Sequence, residues 1–199
     1  MNAFRLPVRL AVLLSGSGRT LQNLIDRIGA GTLPARIEVV LSSTPAAFGL
    51  ERARRHGLPT VVVNRKDHPD TRSFSDAVTK ALEPYPIDLV ILAGFLHLYL
   101  YPPKWERRVL NIHPGLLPDF GGKGFYGHRV HEAVLRSGVR ESGCTVHFAD
   151  HRYDHGSIIL QRRVPVLPGD TPETLAERVF AEECIAYPEA ILRVARGEI

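Results

Sequence analysis

The chain has 199 residues, 44% apolar and 23% charged, with a mean hydropathy of −0.05. That composition excludes disorder and fibrous repeats and is long enough for the core of one medium α/β domain. Lys and Arg number 25 against 21 Asp and Glu, a net charge of +4; with no long basic run to track a nucleic-acid backbone, small anionic ligands are the economical partners. Two separated cysteines, Cys144 and Cys184, form neither a disulfide framework nor a Cys-rich metal site, as expected of a reducing cytoplasm.

The apolar start is broken by Arg5, Pro7 and Arg9, too short for a membrane span and without a signal-peptide cleavage site, so it reads as a first strand. Apolar, β-branched runs recur at Val8–Leu14, Ile37–Leu41, Thr60–Val63, Asp88–Leu92, Val109–Ile112, Thr145–Phe148 and Ile158–Leu160. Helical spacing lies between the early runs: Leu21, Leu24, Ile25 and Ile28; Phe48 to Arg55; Phe74, Val78, Ala81 and Leu82. The order β-α-β-α-β-α-β predicts a mostly parallel, twisted, Rossmann-like sheet with helices on both faces and its ligands at the carboxyl ends of the strands.

After Leu92 loops dominate, with Pro102-Pro103, Pro114 and a Gly-rich stretch from Gly121 to Gly127. A helix is predicted from His128 to Arg136, and a longer one opens at Thr171-Pro172-Glu173, where Thr suits the N-cap and Pro the first helical position. Pro188 is expected to kink or divide it. With no repeat, low-complexity tract or linker, residues 1–199 read as a single domain.

Ser15-Gly16-Ser17-Gly18-Arg19-Thr20 joins the first strand to the first helix, where backbone N–H groups and the helix dipole hold anions. It is neither the dinucleotide fingerprint, since Leu21 takes the third glycine position, nor a Walker loop. Two readings stay open: a single-phosphate site, favoured by Arg19, and a tight turn that needs glycine.

Asn111 and His113 sit two apart at the end of a strand that Pro114 stops, so they share one face. An amide donor beside a titratable imidazole suits acyl transfer, and the bland alternative is a solvated strand end. Asp154 would raise the pKa of an adjacent histidine, yet read alone it is a turn residue. Seven of the nine histidines fall between His97 and His155, but the spacing of His128 with His131 and of His151 with His155 matches no metal motif, and no metal site is expected. His147 alternates with Val146 and Phe148 and reads as a buried, hydrogen-bonded support for the site.

Taken together, Ser15-Gly16-Ser17-Gly18, Phe48-Gly49-Leu50-Glu51-Arg52-Ala53, Leu92-Ala93-Gly94-Phe95, Asn111-Ile112-His113-Pro114-Gly115-Leu116-Leu117-Pro118, Gly143-Cys144-Thr145-Val146-His147-Phe148 and Asp154-x-Gly156 resemble the folate-dependent phosphoribosylglycinamide formyltransferases over nearly the whole chain. The resemblance implies the formyltransferase fold and formyl transfer from 10-formyltetrahydrofolate, as co-substrate, to the amine of glycinamide ribonucleotide in purine synthesis, without a metal. It implies a nucleotide-phosphate half at about residues 1–100 and a folate-binding and catalytic half at about residues 101–199. By position it puts the ribonucleotide on Gly16, Gly18, Arg19, Thr20 and Glu183. The folate falls to Arg72, Leu96, His97, Leu98, Tyr99, Asn111, Asp150, His151, Arg152, Tyr153 and Asp154. Asn111, His113 and Asp154 are the implied catalytic set, with Asp154 keeping His113 charged.

The chain departs from the family where Gly-x-Gly-Ser-Asn becomes Gly16-Ser17-Gly18-Arg19-Thr20, where His97 replaces a common Arg, and in a longer Gly121–Gly127 stretch, for which two readings stay open: a mobile lid whose Lys123 reaches the phosphate, and a flexible surface loop. Two relatives with the same catalytic segment carry further domains: the formyltetrahydrofolate hydrolases before it and the methionyl-tRNA formyltransferases, which bind RNA, after it. A first strand within ten residues of Met1 and an end at Ile199 favour the smaller enzyme, a monomer or homodimer in the cytoplasm binding neither nucleic acid nor membrane. The alternatives are hydrolysis of the folate and a non-catalytic nucleotide-binding module.

Overall fold

In a computed structural model, residues 3–199 are described. Seven strands form one sheet: β1 (Val8–Leu14), β2 (Ala35–Ser42), β3 (Thr60–Val62), β4 (Leu89–Leu92), β5 (Val109–His113), β6 (Glu141–Phe148) and β7 (Ile158–Pro165), in the order β3-β2-β1-β4-β5-β6-β7. The first five run parallel; β6 and β7 are antiparallel. The helices are α1 (Arg19–Gly29), α2 (Phe48–Arg55), α3 (Thr71–Leu82), α4 (His128–Ser137) and α5 (Pro172–Ala195).

The central strands are apolar throughout because both their faces are covered. Val12 and Leu14 join Leu21 and Leu24 of α1, Leu50 of α2 and Tyr187 and Ile191 of α5, while Ala11 and Leu13 join Phe74, Val78 and Leu82 of α3 on the other side. The strand order reverses between β1 and β4, and the crevice beyond their carboxyl ends is where such sheets take ligands.

Three sequence expectations change. The sixth and seventh strands are longer than their apolar runs: β6 starts four residues early, through Ser142-Gly143, because a close antiparallel partner accepts a glycine there; a Cβ on Gly143 would lie 2.0 Å from the Arg162 carbonyl oxygen. β7 continues through polar residues to Pro165 because antiparallel pairing with β6 supports it. Finally, Pro188 does not divide α5, a single helix of 24 residues. Proline deprives the carbonyl four residues earlier of its N–H partner. That carbonyl, Cys184 O, instead accepts from Asn23 Nδ2 at 3.1 Å and Arg27 Nη2 at 3.4 Å, both on α1. Thr171 caps the helix as expected, and the structure adds a reciprocal bond, Thr171 and Thr174 each accepting from the other's backbone N–H.

Among the described residues no helix is long and apolar enough to cross a membrane.

Candidate active site

A cleft of about 740 Å³ runs along the carboxyl ends of β1, β4 and β5, from the Gly16–Thr20 turn past Leu96–Tyr99 to Asp150 and Arg152–Asp154. Tyr187 of α5 braces its floor, its hydroxyl lying 3.0 Å from Leu92 O and 2.8 Å from Leu110 O, the carbonyls of two cleft-forming strands.

At the first end, Gly18 has a φ of +72°, and a Cβ there would fall 2.5 Å from the Gly49 Cα. This glycine is required by the turn and by the approach of α2. Gly16 is different: a Cβ on it would meet nothing within 4 Å. Gly18 has no side chain with which to cap α1, so its first-turn N–H groups keep the anion-binding character of a helix start. Arg19 lines the cleft, yet its guanidinium is engaged: Nη1 and Nη2 each donate to Glu177 at 2.6 Å, and the plane lies 3.9 Å over the Phe180 ring. Glu183, 9% exposed, also lines the cleft; burial pushes its carboxyl up to about 7, against the opposing pull of Arg19.

The antiparallel pairing of β5 with β6 sets Asn111 opposite His147 and His113 opposite Thr145. His147 Nδ1 lies 2.9 Å from the Phe148 carbonyl oxygen; donating there leaves Nε2 to accept from Asn111 Nδ2 at 3.0 Å. The second Asn111 N–H goes to Asp154 Oδ1 at 3.3 Å. The other Asp154 oxygen accepts from Gly122 N at 3.0 Å and lies 3.5 Å from His113 Nδ1, while His113 Nε2 is 2.6 Å from the Phe120 carbonyl oxygen. Asp154 adopts a left-handed φ of +52°, a conformation that aspartate tolerates better than most residues and that turns its carboxylate back into the cleft.

Burial raises the Asp154 carboxyl, but the His147 and His113 rings and the Gly122 N–H outweigh it and hold it below the usual carboxylate range. His113, only 3% exposed, goes the other way from the sequence expectation: burial pulls it below the usual imidazole range, and the attraction of Asp154 does not fully compensate. The expectation that Asp154 keeps His113 charged is therefore corrected; the carboxylate lies at ion-pair distance, in an environment that disfavours the cation.

Of the other expected residues, Gly16, Gly18, Thr20, Leu96, His97, Leu98, Tyr99, Asp150, Arg152, Tyr153, His147 and Lys123 line the cleft. Two do not. Arg72 is exposed on the first turn of α3, off the cleft. His151 turns away, with Nε2 3.2 Å from Tyr101 O and its ring 4.8 Å from the Tyr101 ring. Two backbone N–H groups of the 96–99 segment are engaged internally: Leu96 N donates to Ser15 Oγ and Leu98 N to the Tyr153 hydroxyl.

Sequence reading missed Phe180, His131 and the buried clamp of Thr145 and Gln161. Thr145 Oγ1 donates to Gly115 O and accepts from Leu117 N and Gln161 Nε2, pinning the loop after His113. Alternation along β6 could have found Thr145, which shares a face with His147; no local signal marks Phe180, which reaches the cleft only because α5 packs across α1.

The formyl transferase family model matches residues 8–191. The chain belongs to the formyl transferase family. The crystal structure of glycinamide ribonucleotide transformylase 1 from Symbiobacterium toebii is 44% identical with a TM-score of 0.87, over 96% of this chain and 88% of that one. That of phosphoribosylglycinamide formyltransferase from Brucella melitensis is 39% identical, with a TM-score of 0.85 over 94% and 95%. The human trifunctional purine biosynthetic protein adenosine-3 is 44% identical over 193 residues, 96% of this chain. The chain spans only 19% of that trifunctional relative's length.

Family membership accounts for the α/β sheet; Asn111, His113 and Asp154 meet at one point in this chain's own structure. Arg19 is held against Glu177 and Phe180 by this chain's own side chains.

Proposed function

We propose that the chain transfers the formyl group of 10-formyltetrahydrofolate to the glycyl amine of glycinamide ribonucleotide in purine synthesis. The observation that carries this reading is the convergence of Asn111, His113 and Asp154 inside one cleft of a formyl transferase chain. The ribonucleotide phosphate lies at Gly16, Gly18, Arg19 and Thr20, where helix-start N–H groups attract an anion; the open space at Gly16 supports this, since the protein's own packing does not require a glycine there. Glu183 receives the glycinamide part. The folate lies between Leu96–Tyr99 and the loop holding Asp150 and Arg152–Asp154. Residues 1–199 act as one domain, the phosphate side drawn mainly from about residues 1–100 and the folate and catalytic side from about residues 101–199.

The attacking amine must be neutral. As its nitrogen bonds to the formyl carbon, the carbonyl electron pair moves onto oxygen, and Asn111 exchanges its longer bond, the one to Asp154, for one to that oxyanion. His113 Nε2 exchanges the Phe120 carbonyl for the reacting atoms. Negative charge developing beside it raises its proton affinity, and Asp154 at Nδ1 supports the imidazolium at that moment. Released from Phe120 and with its own proton on Nδ1 facing Asp154, His113 takes up on Nε2 the proton released by the attacking nitrogen and passes it to N10 as the C–N10 bond breaks, leaving a formamide and tetrahydrofolate with no net gain of protons. Holding both substrates in one cleft supplies much of the remaining rate.

The test supplies the protein with 10-formyltetrahydrofolate, with and without glycinamide ribonucleotide, and follows tetrahydrofolate release. Release that requires the ribonucleotide is expected. Release without it makes the chain a hydrolase, and no release makes it a binding module.

A further inference from the structure

We infer that Phe180 and Glu177 are positioning residues that hold the Arg19 guanidinium ready for the substrate's phosphate, so that phosphate recognition in this chain depends on a side-chain assembly spanning α1 and α5. The inference rests on the functional reading above and deepens its phosphate subsite.

An arginine free in solvent loses several rotors when it engages a phosphate, and that loss weakens binding. Here the side chain is fixed on two sides. Glu177 takes one N–H from each of Nη1 and Nη2, both at 2.6 Å. Phe180 supports the flat face at 3.9 Å, within the range of a cation–π contact. A guanidinium has five N–H donors, so the end-on pair with Glu177 leaves three, including Nε–H, for a second anion. The placement fits that division: Arg19 and Phe180 line the cleft beside Gly16 and Gly18, whereas Glu177 does not. Glu177 thus braces the cation from outside without occupying the anion's place. The Arg19 side chain stays 44% exposed, open to an incoming phosphate.

The experiment measures KM and kcat for glycinamide ribonucleotide, and kcat/KM for the corresponding nucleoside without its phosphate, in wild type, Arg19→Ala, Phe180→Leu, Glu177→Gln and Arg19→Ala/Phe180→Leu. Arg19→Ala is expected to raise the ribonucleotide KM by about tenfold or more, the weight of a charge-assisted hydrogen bond. Phe180→Leu, which keeps an apolar side chain, is expected to raise it about threefold, the weight of an exposed cation–π contact. Glu177→Gln is expected to raise it by about the same factor. The rise should appear in KM rather than kcat, leave the nucleoside unaffected, and vanish for Phe180→Leu once Arg19 is alanine. A lower KM in Glu177→Gln would overturn the inference by showing that Glu177 competes with the phosphate. So would equal effects on nucleotide and nucleoside, or an undiminished Phe180→Leu effect in the Arg19→Ala background. If wild type transfers no formyl group, it is the functional reading that has failed; active wild type with unresponsive variants refutes this inference alone.

Discussion

Glu183→Gln should make the protein more stable and less able to bind the proposed ribonucleotide, with the stability gain appearing as pH rises from about 4.5 through 7. The Glu183 carboxyl is 9% exposed and accepts no hydrogen bond among the described residues. Its cationic neighbour Arg19 is already committed to Glu177. Burial raises its pKa from 4.5 to about 7. The folded state therefore keeps a proton that the unfolded chain releases above pH 4.5, so this group's contribution to stability is full below that pH and lost as pH rises through 7. Above pH 8 the wild type bears the whole cost of a buried carboxylate, about 3 kcal/mol. Glutamine has the same shape and no charge. Urea unfolding of both proteins at pH 4 and pH 8.5 should show little difference at the first and a gain of about 3 kcal/mol at the second, or roughly 6–12 °C in Tm for a domain of this size. At pH 8.5 the variant should also show a higher KM for the ribonucleotide. Equal stabilities at both pH values would mean that Glu183 is not buried as a charged group, and the reasoning would fail.

Asp154→Asn removes the charge that supports imidazolium at His113 and should lower kcat by about 10²- to 10⁴-fold with an unchanged circular dichroism spectrum; wild-type turnover across pH 6 to 8 would sink the pairing. His131 is 3% exposed and lines the cleft; burial, helped by His128 and His113, lowers its pKa to about 4. Below pH 6.5 the unfolded chain takes up a proton that the folded state refuses, so stability should fall by on the order of 3 kcal/mol between pH 6.5 and 4, and His131→Leu should flatten that fall in denaturant titrations. An identical slope in the variant would show that another group is responsible. Asn23→Leu strips the Cys184 carbonyl of its shorter hydrogen bond and should cost about 1–2 kcal/mol. In a Pro188→Ala background, where a backbone N–H can return to that carbonyl, the cost should shrink, and a cycle with no coupling would contradict this account.

The strands and most of the first half were legible in the sequence because a parallel sheet buried on both faces needs uninterrupted apolar runs and short crossovers, and both leave local marks. Phe48–Arg55 and Val8–Leu14 have the same limits in the structure as in the pattern. Asn111 and His113 were legible for a related reason: a strand ending at proline places alternate side chains on one face. Where the pattern was silent, long-range pairing decided. Ser142-Gly143 carries no strand signal, yet it pairs because β7 lies against it, and α5 runs through Pro188 because α1 satisfies the freed carbonyl. The protonation of His113 was beyond sequence reading, since it depends on burial set against the distance to Asp154. The same holds for His151, drawn off to Tyr101, and for Arg72, left outside the cleft. The sequence determined which residue types sit at the ends of which strands, because that follows from local periodicity. Only the tertiary structure decided which of them meet, which are dry and which are already engaged, because those are sums over neighbours that the chain brings from far away, as when Phe180 and Glu177 close on Arg19 from more than 150 residues along the chain.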